Sequence, residues 1–261
     1  MAEILSILTM NLLLILGSML ALWLLSLILK NASIVDIFWG LGFVILAWLT
    51  FFRSDGFFTR SLMLSILVTV WGVRLALHIG LRNHGKGEDP RYRAWRRQQG
   101  KNFWWVSLFQ VFILQSILLW IISLTVQMGQ IVPYPATVTL FDVFGCIVWG
   151  TGFTFEAVAD WQLARFKSNP KNQGRVMDKG LWALSRHPNY FGETLVWWGL
   201  FIIAFSSLIN LWTVISPLTI TYLLLNVSGV PLLERSLTKR NPKYDDYIQR
   251  TSAFFPMPPK K

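Results

Sequence analysis

One cysteine, Cys146, in 261 residues excludes an intramolecular disulfide and any Cys-x-x-Cys metal or redox pair. Histidine is nearly as scarce, with only His78, His84 and His187. Zinc commonly takes three or four protein ligands, so no metal site is expected. Charged residues make up 14% of the chain, against roughly a quarter in a soluble domain. That shortage excludes a disordered chain, a coiled coil and an ordinary cytosolic globule. No G-x-G-x-x-G after a strand, no P-loop and no H-E-x-x-H is present, so no soluble nucleotide-binding domain is encoded. No internal repeat is visible either, which weighs against a transporter built from two repeats.

What remains is apolar and aromatic: 54% hydrophobic residues, 14 tryptophans and 19 phenylalanines, a composition suited to interfacial anchoring in a bilayer. Crossing the hydrocarbon core takes about 20 apolar residues. Seven runs qualify: Ile4–Leu29, Ile34–Phe52, Leu62–Leu81, Trp104–Val126, Val138–Asp160, Tyr190–Ile209 and Leu211–Leu233. The fold expected is therefore an all-α integral membrane protein with seven transmembrane helices. The first run follows Glu3 rather than a basic leader, is long, and lacks a small-x-small exit, so it reads as a retained helix.

Of the 24 lysines and arginines, all but Arg53, Arg60 and Arg74 fall at Lys30, in Arg82–Lys101, in Arg165–Arg186 or in the tail from Arg235. Positive-inside sorting then puts the N-terminus outside and the C-terminal tail in the cytoplasm. It also accounts for the formal charge of +11 without a nucleic-acid partner, and none is expected. The tail segment Asn241–Arg250 reads as a solvated helix attracted to anionic headgroups, and Pro256 and Pro258 end the chain irregularly.

Ionisable groups near hydrocarbon are expensive and mark candidate sites. Arg74, His78 and Arg82 recur at i, i+4 and i+8, hence on one helix face. They suit a phosphate or carboxylate ligand; alternatively Arg82 snorkels and Arg74 pairs with Asp36 or Asp142. Glu156 and Asp160 are also four apart and repel unless a ligand's hydroxyls or amides, or cations, share them. A salt bridge to Arg165 or to the third-run arginines is the other option. Within Lys179–Glu193, His187 and Pro188 turn the chain into the sixth run. Asn189 and Glu193 then lie one turn apart, and Gly192 permits close approach. Arg186, His187 and Asn189 gather at a helix N-terminus, where an anion is favoured, unless the stretch is simply a juxtamembrane stop. Glu234 follows the last run beside Arg235, with Tyr244, Tyr247 and Arg250 in the tail. Asp36 opens Asp-Ile-Phe-Trp-Gly40 with Lys30 as its only nearby cation. It is either a catalytic acid or a helix N-terminal acid favoured by the dipole.

The stretch Arg186-His-Pro-Asn-Tyr-Phe-Gly-Glu193, together with Tyr244–Pro256, resembles the steroid 5α-reductase superfamily, and more closely its bacterial branch, the DUF1295 group. Asp36-Ile-Phe-Trp-Gly40 and Arg74 with Glu88-Asp-Pro-Arg-Tyr92 extend the likeness toward the N-terminus. The resemblance implies a seven-helix enzyme that binds NADPH in a cytoplasm-facing cavity and reduces an electron-poor C=C bond. The family's cofactor-contacting Asn and Glu fall on Asn189 and Glu193, its fifth-span acid on Asp160, and two of its arginines on Arg74 and Arg175. Trp71 stands where the family has a substrate-polarising tyrosine, and Asp36 replaces a glutamate. An indole can stack but cannot protonate a carbonyl.

On this reading the chain is one seven-helix domain, residues 1–261, with a substrate half over 1–103 and a cofactor half over 104–261. It is a multi-pass protein of a bacterial inner membrane acting on a lipophilic small molecule. Arg74, Arg175 and Arg186 hold phosphates, while Asp160, Asn189 and Glu193 hold ribose and carboxamide. His78, Glu156, His187 and Tyr247 complete the cofactor set. Asp36, protonated, and Trp71 serve the substrate. Six basic residues in Arg165–Arg186 suit the 2′-phosphate of NADPH rather than NADH. A second reading is an S-adenosylmethionine-dependent methyltransferase similar to the isoprenylcysteine and phospholipid enzymes, which share the Arg-His-Pro-x-Tyr turn. Those carry a Glu-Glu pair after the last span, where this chain has Leu233-Glu234-Arg235. A channel or lipid-binding scaffold is the third class. Charges concentrated at one membrane face speak against a through-pore.

Overall fold

The computed structural model describes residues 1–227, 229–230, 233–234, 237–238 and 243–260, and every regular element among them is helical. In hydrocarbon each backbone N–H and C=O needs a partner within the chain, and a helix supplies it locally. Helix α1 spans Ala2–Leu29 and stops at Lys30, whose left-handed backbone (φ 52°) lets its N–H reach the carbonyl of Leu27. Helices α2 (Ile34–Arg53) and α3 (Phe58–Asn83) follow, then α4 (Pro90–Gln99) and α5 (Phe103–Ser107). A π-helical turn over Leu108–Ile113 leads into α6 (Leu114–Ile131). Beyond lie α7 (Leu140–Ser168), α8 (Leu181–Leu184), α9 (Pro188–Ala204), a 3₁₀ stretch at Leu208–Val214, α10 (Ile215–Tyr222) and α11 (Lys243–Arg250).

Among the described residues, six helical segments are long and apolar enough to cross a membrane: Ala2–Leu29, Ile34–Arg53, Phe58–Asn83, Pro90–Ile131, Leu140–Ser168 and Leu208–Val227. They fit a multi-pass membrane protein. The run expected at Tyr190–Ile209 forms α9, which has 17 residues. At 1.5 Å per residue it is about 25 Å long, short of the ~30 Å hydrocarbon core. Within the run expected at Leu211–Leu233, residues 228, 231 and 232 lie outside the described residues. So do Arg235, Asn241 and Pro242 of the expected tail.

The chain divides into two compact units. The first is Met1–Thr139 with Ala204–Ile215, and the second is Leu140–Ile203 with Ser216–Lys261. This division does not coincide with the expected boundary after residue 103, because α6 packs on α1, α2 and α3. The core of the first unit includes the fully buried Ile15, Leu46, Leu64, Leu119 and Ile122. A polar seam runs through it. The Asn11 amide donates to Thr50 Oγ1 and to Gln127 Oε1, both at 2.8 Å. The Gln130 amide donates to the Ala47 carbonyl and Ser65 Oγ. These bonds fix the rotation of α1 and α6, whose apolar faces alone would not.

In the second unit α7 and α9 pack backbone to backbone. Gly145 and Gly152 of α7 face Gly199 and Gly192 of α9 in antiparallel order. A Cβ on Gly152 would lie 2.6 Å from the Gly192 carbonyl oxygen, and one on Gly192 would lie 2.4 Å from the Glu156 nitrogen. Small residues that admit such approach are how helices associate in an apolar solvent. Gly152→Leu is expected to lower stability by about 1–3 kcal/mol, the cost of forcing atoms into a packed interface, whereas Gly150→Ala, with open space around its Cβ, leaves stability unchanged or raises it. Thermal unfolding of the two variants in detergent checks this, and equal midpoints would contradict the packing.

Candidate functional site

The α7–α9 contact brings polar residues together at one end of the helix pair. Glu156 and Asp160, one turn apart on α7, are both buried. Pro188, at the first position of α9, has no N–H to lose there, and Asn189 follows it. The Asn189 amide donates to Asp160 Oδ1 at 3.2 Å. Its own Oδ1 is buried without a partner, an arrangement that a bound donor would complete. Glu193, one turn further along α9, is half-buried. Asn189 and Asp160, both expected at the cofactor, are thus in contact.

Arg186 and His187 do something else. Arg186 Nε donates to Glu234 Oε1 at 2.7 Å, and Nη1 donates to the carbonyls of Ile248 (2.9 Å) and Thr251 (2.7 Å). These carbonyls close α11, so the guanidinium caps the negative end of that helix. Its charge is thus balanced inside the chain. His187 Nε2 lies 3.1 Å from the same Glu234 oxygen, and its ring stacks on Tyr190. Tyr247, also expected at the cofactor, is buried and donates to the carbonyls of Trp182 and Ser185. It acts as a strut between the tail and the segment before α9. The Ser185 hydroxyl to the Phe254 carbonyl, and the Met257 N–H to the Leu184 carbonyl, extend the same seam. Burial pushes the Glu234 carboxyl up, but hydrogen bonds from His187 and Arg186 outweigh it and hold the group below its ordinary value. Burial, then the Glu234 charge, pushes the Tyr244 phenol up to about 12. Arg175 is exposed, on a turn closed by its N–H to the Asn172 carbonyl.

The remaining expected residues lie in the first unit. Trp71 is fully buried, edge-on to Phe43 at 5.7 Å, and offers no surface to a substrate. Arg74 and His78 are half-buried on α3. Asp36 is not left with Lys30 as its cation: Arg91 donates to Oδ2 at 2.8 Å, and the Tyr92 hydroxyl donates to Oδ1 at 2.7 Å. Both oxygens thus accept, one from a cation and one from a hydroxyl. Glu88 completes the lock, accepting from the Ala32 N–H and from Arg96 at 2.8 Å each. Burial raises the Glu88 carboxyl and these bonds lower it further, so the net displacement is downward. Sequence reasoning gave Arg91 and Tyr92 no role beyond the Glu88–Tyr92 pattern and did not single out Arg96. The signal available was Asp89-Pro90, an N-cap acid followed by proline, which announces the helix that carries them.

The family model described as "Protein of unknown function (DUF1295)" matches residues 22–251. The chain belongs to the DUF1295 family. This DUF1295 protein is similar to the uncharacterized protein C594.04c of Schizosaccharomyces pombe, at 26% identity over 272 residues, covering 93% of this chain and 77% of that one. It is also similar over 63 residues to the probable O-methyltransferase ustE of Ustilaginoidea virens, at 38% identity, covering 24% of this chain and 20% of that protein. No solved structure matches.

A carboxylate held below its ordinary value stabilises the fold above that value and ceases to do so as pH falls through it. Glu234→Gln in this DUF1295 protein is therefore expected to lower the melting temperature by a constant amount at neutral pH. That difference should shrink as pH drops below the ordinary glutamate value of 4.5. Melting curves from neutral to acidic pH test it, and a difference independent of pH would contradict the Arg186–Glu234–His187 arrangement.

Proposed function

We propose that the chain is a membrane-embedded, NADPH-dependent reductase of an electron-poor C=C bond in a lipophilic substrate of steroid-like or isoprenoid type, in keeping with its resemblance to the steroid 5α-reductase superfamily. The observation that carries the reading is Asn189 beside Asp160. A carboxamide whose buried oxygen has no partner calls for a donor from a ligand, and the amide and hydroxyls of a nicotinamide nucleotide are such donors. When bound, that cofactor supplies the hydride. Asp160, Asn189 and Glu193 would hold its carboxamide and ribose, with Glu156 behind them, and the exposed Arg175 and Lys171 would meet its phosphates. Arg186 and Tyr247 keep the surrounding segments in place instead of touching the nucleotide. The acid role is not carried over to Asp36, whose oxygens already accept from Arg91 and Tyr92, nor a substrate role to Trp71. The same reading takes α9 as a seventh crossing, with the N-terminus outside and the tail in the cytoplasm of a bacterial cell. Its support is the sorting of the basic residues.

Methyl transfer from S-adenosylmethionine is the second reading, and the likeness to a probable O-methyltransferase favours it. Against it stands Glu234, the acid after the last span, whose charge Arg186 and His187 already balance. A sulfonium would gain little from a carboxylate so engaged. Thermal-shift titration of detergent-purified protein with NADPH, NADH and S-adenosylmethionine separates the two. NADPH is expected to bind at least tenfold tighter than NADH, about 1.4 kcal/mol, and Arg175→Ala to erase most of that preference. Stabilisation by S-adenosylmethionine alone would reverse the assignment, and equal affinity for both nucleotides would defeat the role of Arg175.

A further inference from the structure

We propose that the indole N–H of Trp149 holds the carbonyl oxygen of the lipophilic substrate, an inference that rests on the reductase reading above. A C=C bond is electron-poor when a carbonyl is conjugated with it, so the site needs a donor for that oxygen as well as a place for the cofactor. Glu156 and Asp160 are acids, and the Asn189 amide already donates to Asp160 Oδ1. Trp149 is only 8% exposed. Its Nε1, which can donate but not accept, is enclosed with no acceptor among the described residues. Buried polar groups are as a rule paired, and other indoles of this chain follow the rule. Those of Trp48, Trp120 and Trp182 donate to Thr69 Oγ1, the Leu8 carbonyl and the Ala159 carbonyl at 2.9, 2.9 and 3.0 Å.

Its place on α7 fits the role. Trp149, Phe153, Glu156 and Asp160 recur at i, i+4, i+7 and i+11, hence on one helix face. At 1.5 Å per residue, Trp149 lies about 10 Å deeper along α7 than Glu156. A nucleotide held by Glu156, Asp160, Asn189 and Glu193 therefore leaves Trp149 to a second ligand, further into the apolar segment. Phe153 stacks on the indole, with centroids 5.0 Å apart and planes 11° apart, and is itself only half-buried. It is the side from which a flat apolar molecule reaches the N–H. A ligand oxygen there gains its bond without competition from water. The Thr194 hydroxyl is also buried without a partner, but it stands about 200° around α9 from Gly192 at 3.6 residues per turn, and Gly192 faces α7. It points away from this face.

The test uses the full chain in detergent and two enone probes, cholestenone and the isoprenoid β-ionone, each set against the same molecule without its carbonyl oxygen. With NADP⁺ present, so that nothing is reduced, at least one enone is expected to bind about fivefold tighter than its oxygen-free partner, the worth of one hydrogen bond. Trp149→Phe should bind the two alike while NADPH still raises its melting temperature as in the wild type. In NMR spectra of indole-labelled protein, the Trp149 resonance is the one missing from Trp149→Phe. It should move when that enone is added and stay in place with the oxygen-free partner. Trp149→Tyr supplies the assignment should the phenylalanine variant not fold. Equal binding of enone and oxygen-free probe to the wild type overturns the inference, and the cofactor reading survives if NADPH still stabilises the protein. No NADPH shift in the wild type overturns both. An unmoved Trp149 resonance, or an enone preference that outlasts Trp149→Phe, overturns the inference too. Loss of the NADPH shift in Trp149→Phe does the same, since it makes the indole part of the scaffold.

Discussion

Helices immersed in hydrocarbon gain nothing from hiding leucine from a solvent as apolar as leucine. Close contact between their backbones is the constraint on which the second unit depends. Four glycines, Gly145 and Gly152 on α7 with Gly199 and Gly192 on α9, remove the side chains that would otherwise hold two helices at 8–10 Å. Asp160 and Asn189 bond directly only because of that approach. Both side chains are short, and a helix pair at ordinary spacing would leave a gap for water between them. The chemistry available at this end of the unit is thus set by residues that have no chemistry of their own.

The second constraint is the cost of charge away from water. A guanidinium as enclosed as Arg186 is tolerated only when its N–H groups are paired, and Glu234 with the two closing carbonyls of α11 provides the pairing. Asp36 is treated the same way in the first unit, by Arg91 and Tyr92. In both places an ion that reads from sequence as available for a ligand is committed to a partner far along the chain. What is left with open valence is of another kind, such as the neutral amide oxygen of Asn189.

This explains which features were legible in the sequence. Length and hydropathy located the apolar helices, since a hydrocarbon-spanning helix is a local property. The four-residue spacings placed Glu156 with Asp160, and Asn189 with Glu193, on shared helix faces. The pairing of Asp36 with a residue 55 positions away and of Arg186 with one 48 positions away depends on how segments fold over one another, and no local period encodes it. The tail was read as solvated because Lys243–Arg250 is polar, yet Tyr244 and Tyr247, three residues apart, turn one face of it inward. The shortness of α9 was hidden by the apolar residues after Ala204, where the chain leaves the helix through a turn and enters the 3₁₀ stretch at Leu208–Val214.

The amide seam of the first unit bears on how the molecule is made. Asn11 sits near the start of the chain, and its partner Gln127 lies 116 residues later. During synthesis α1 is made long before α6 exists, and until α2 follows with Thr50 its amide has nothing to bond to but its own backbone or stray water. A helix this apolar tolerates one such group, so insertion is not blocked. Thr50 of α2 takes one N–H of that amide, and the other finds its partner only when Gln127 arrives. The polar seam of this unit is therefore complete only once a helix translated more than a hundred residues after Asn11 is in place.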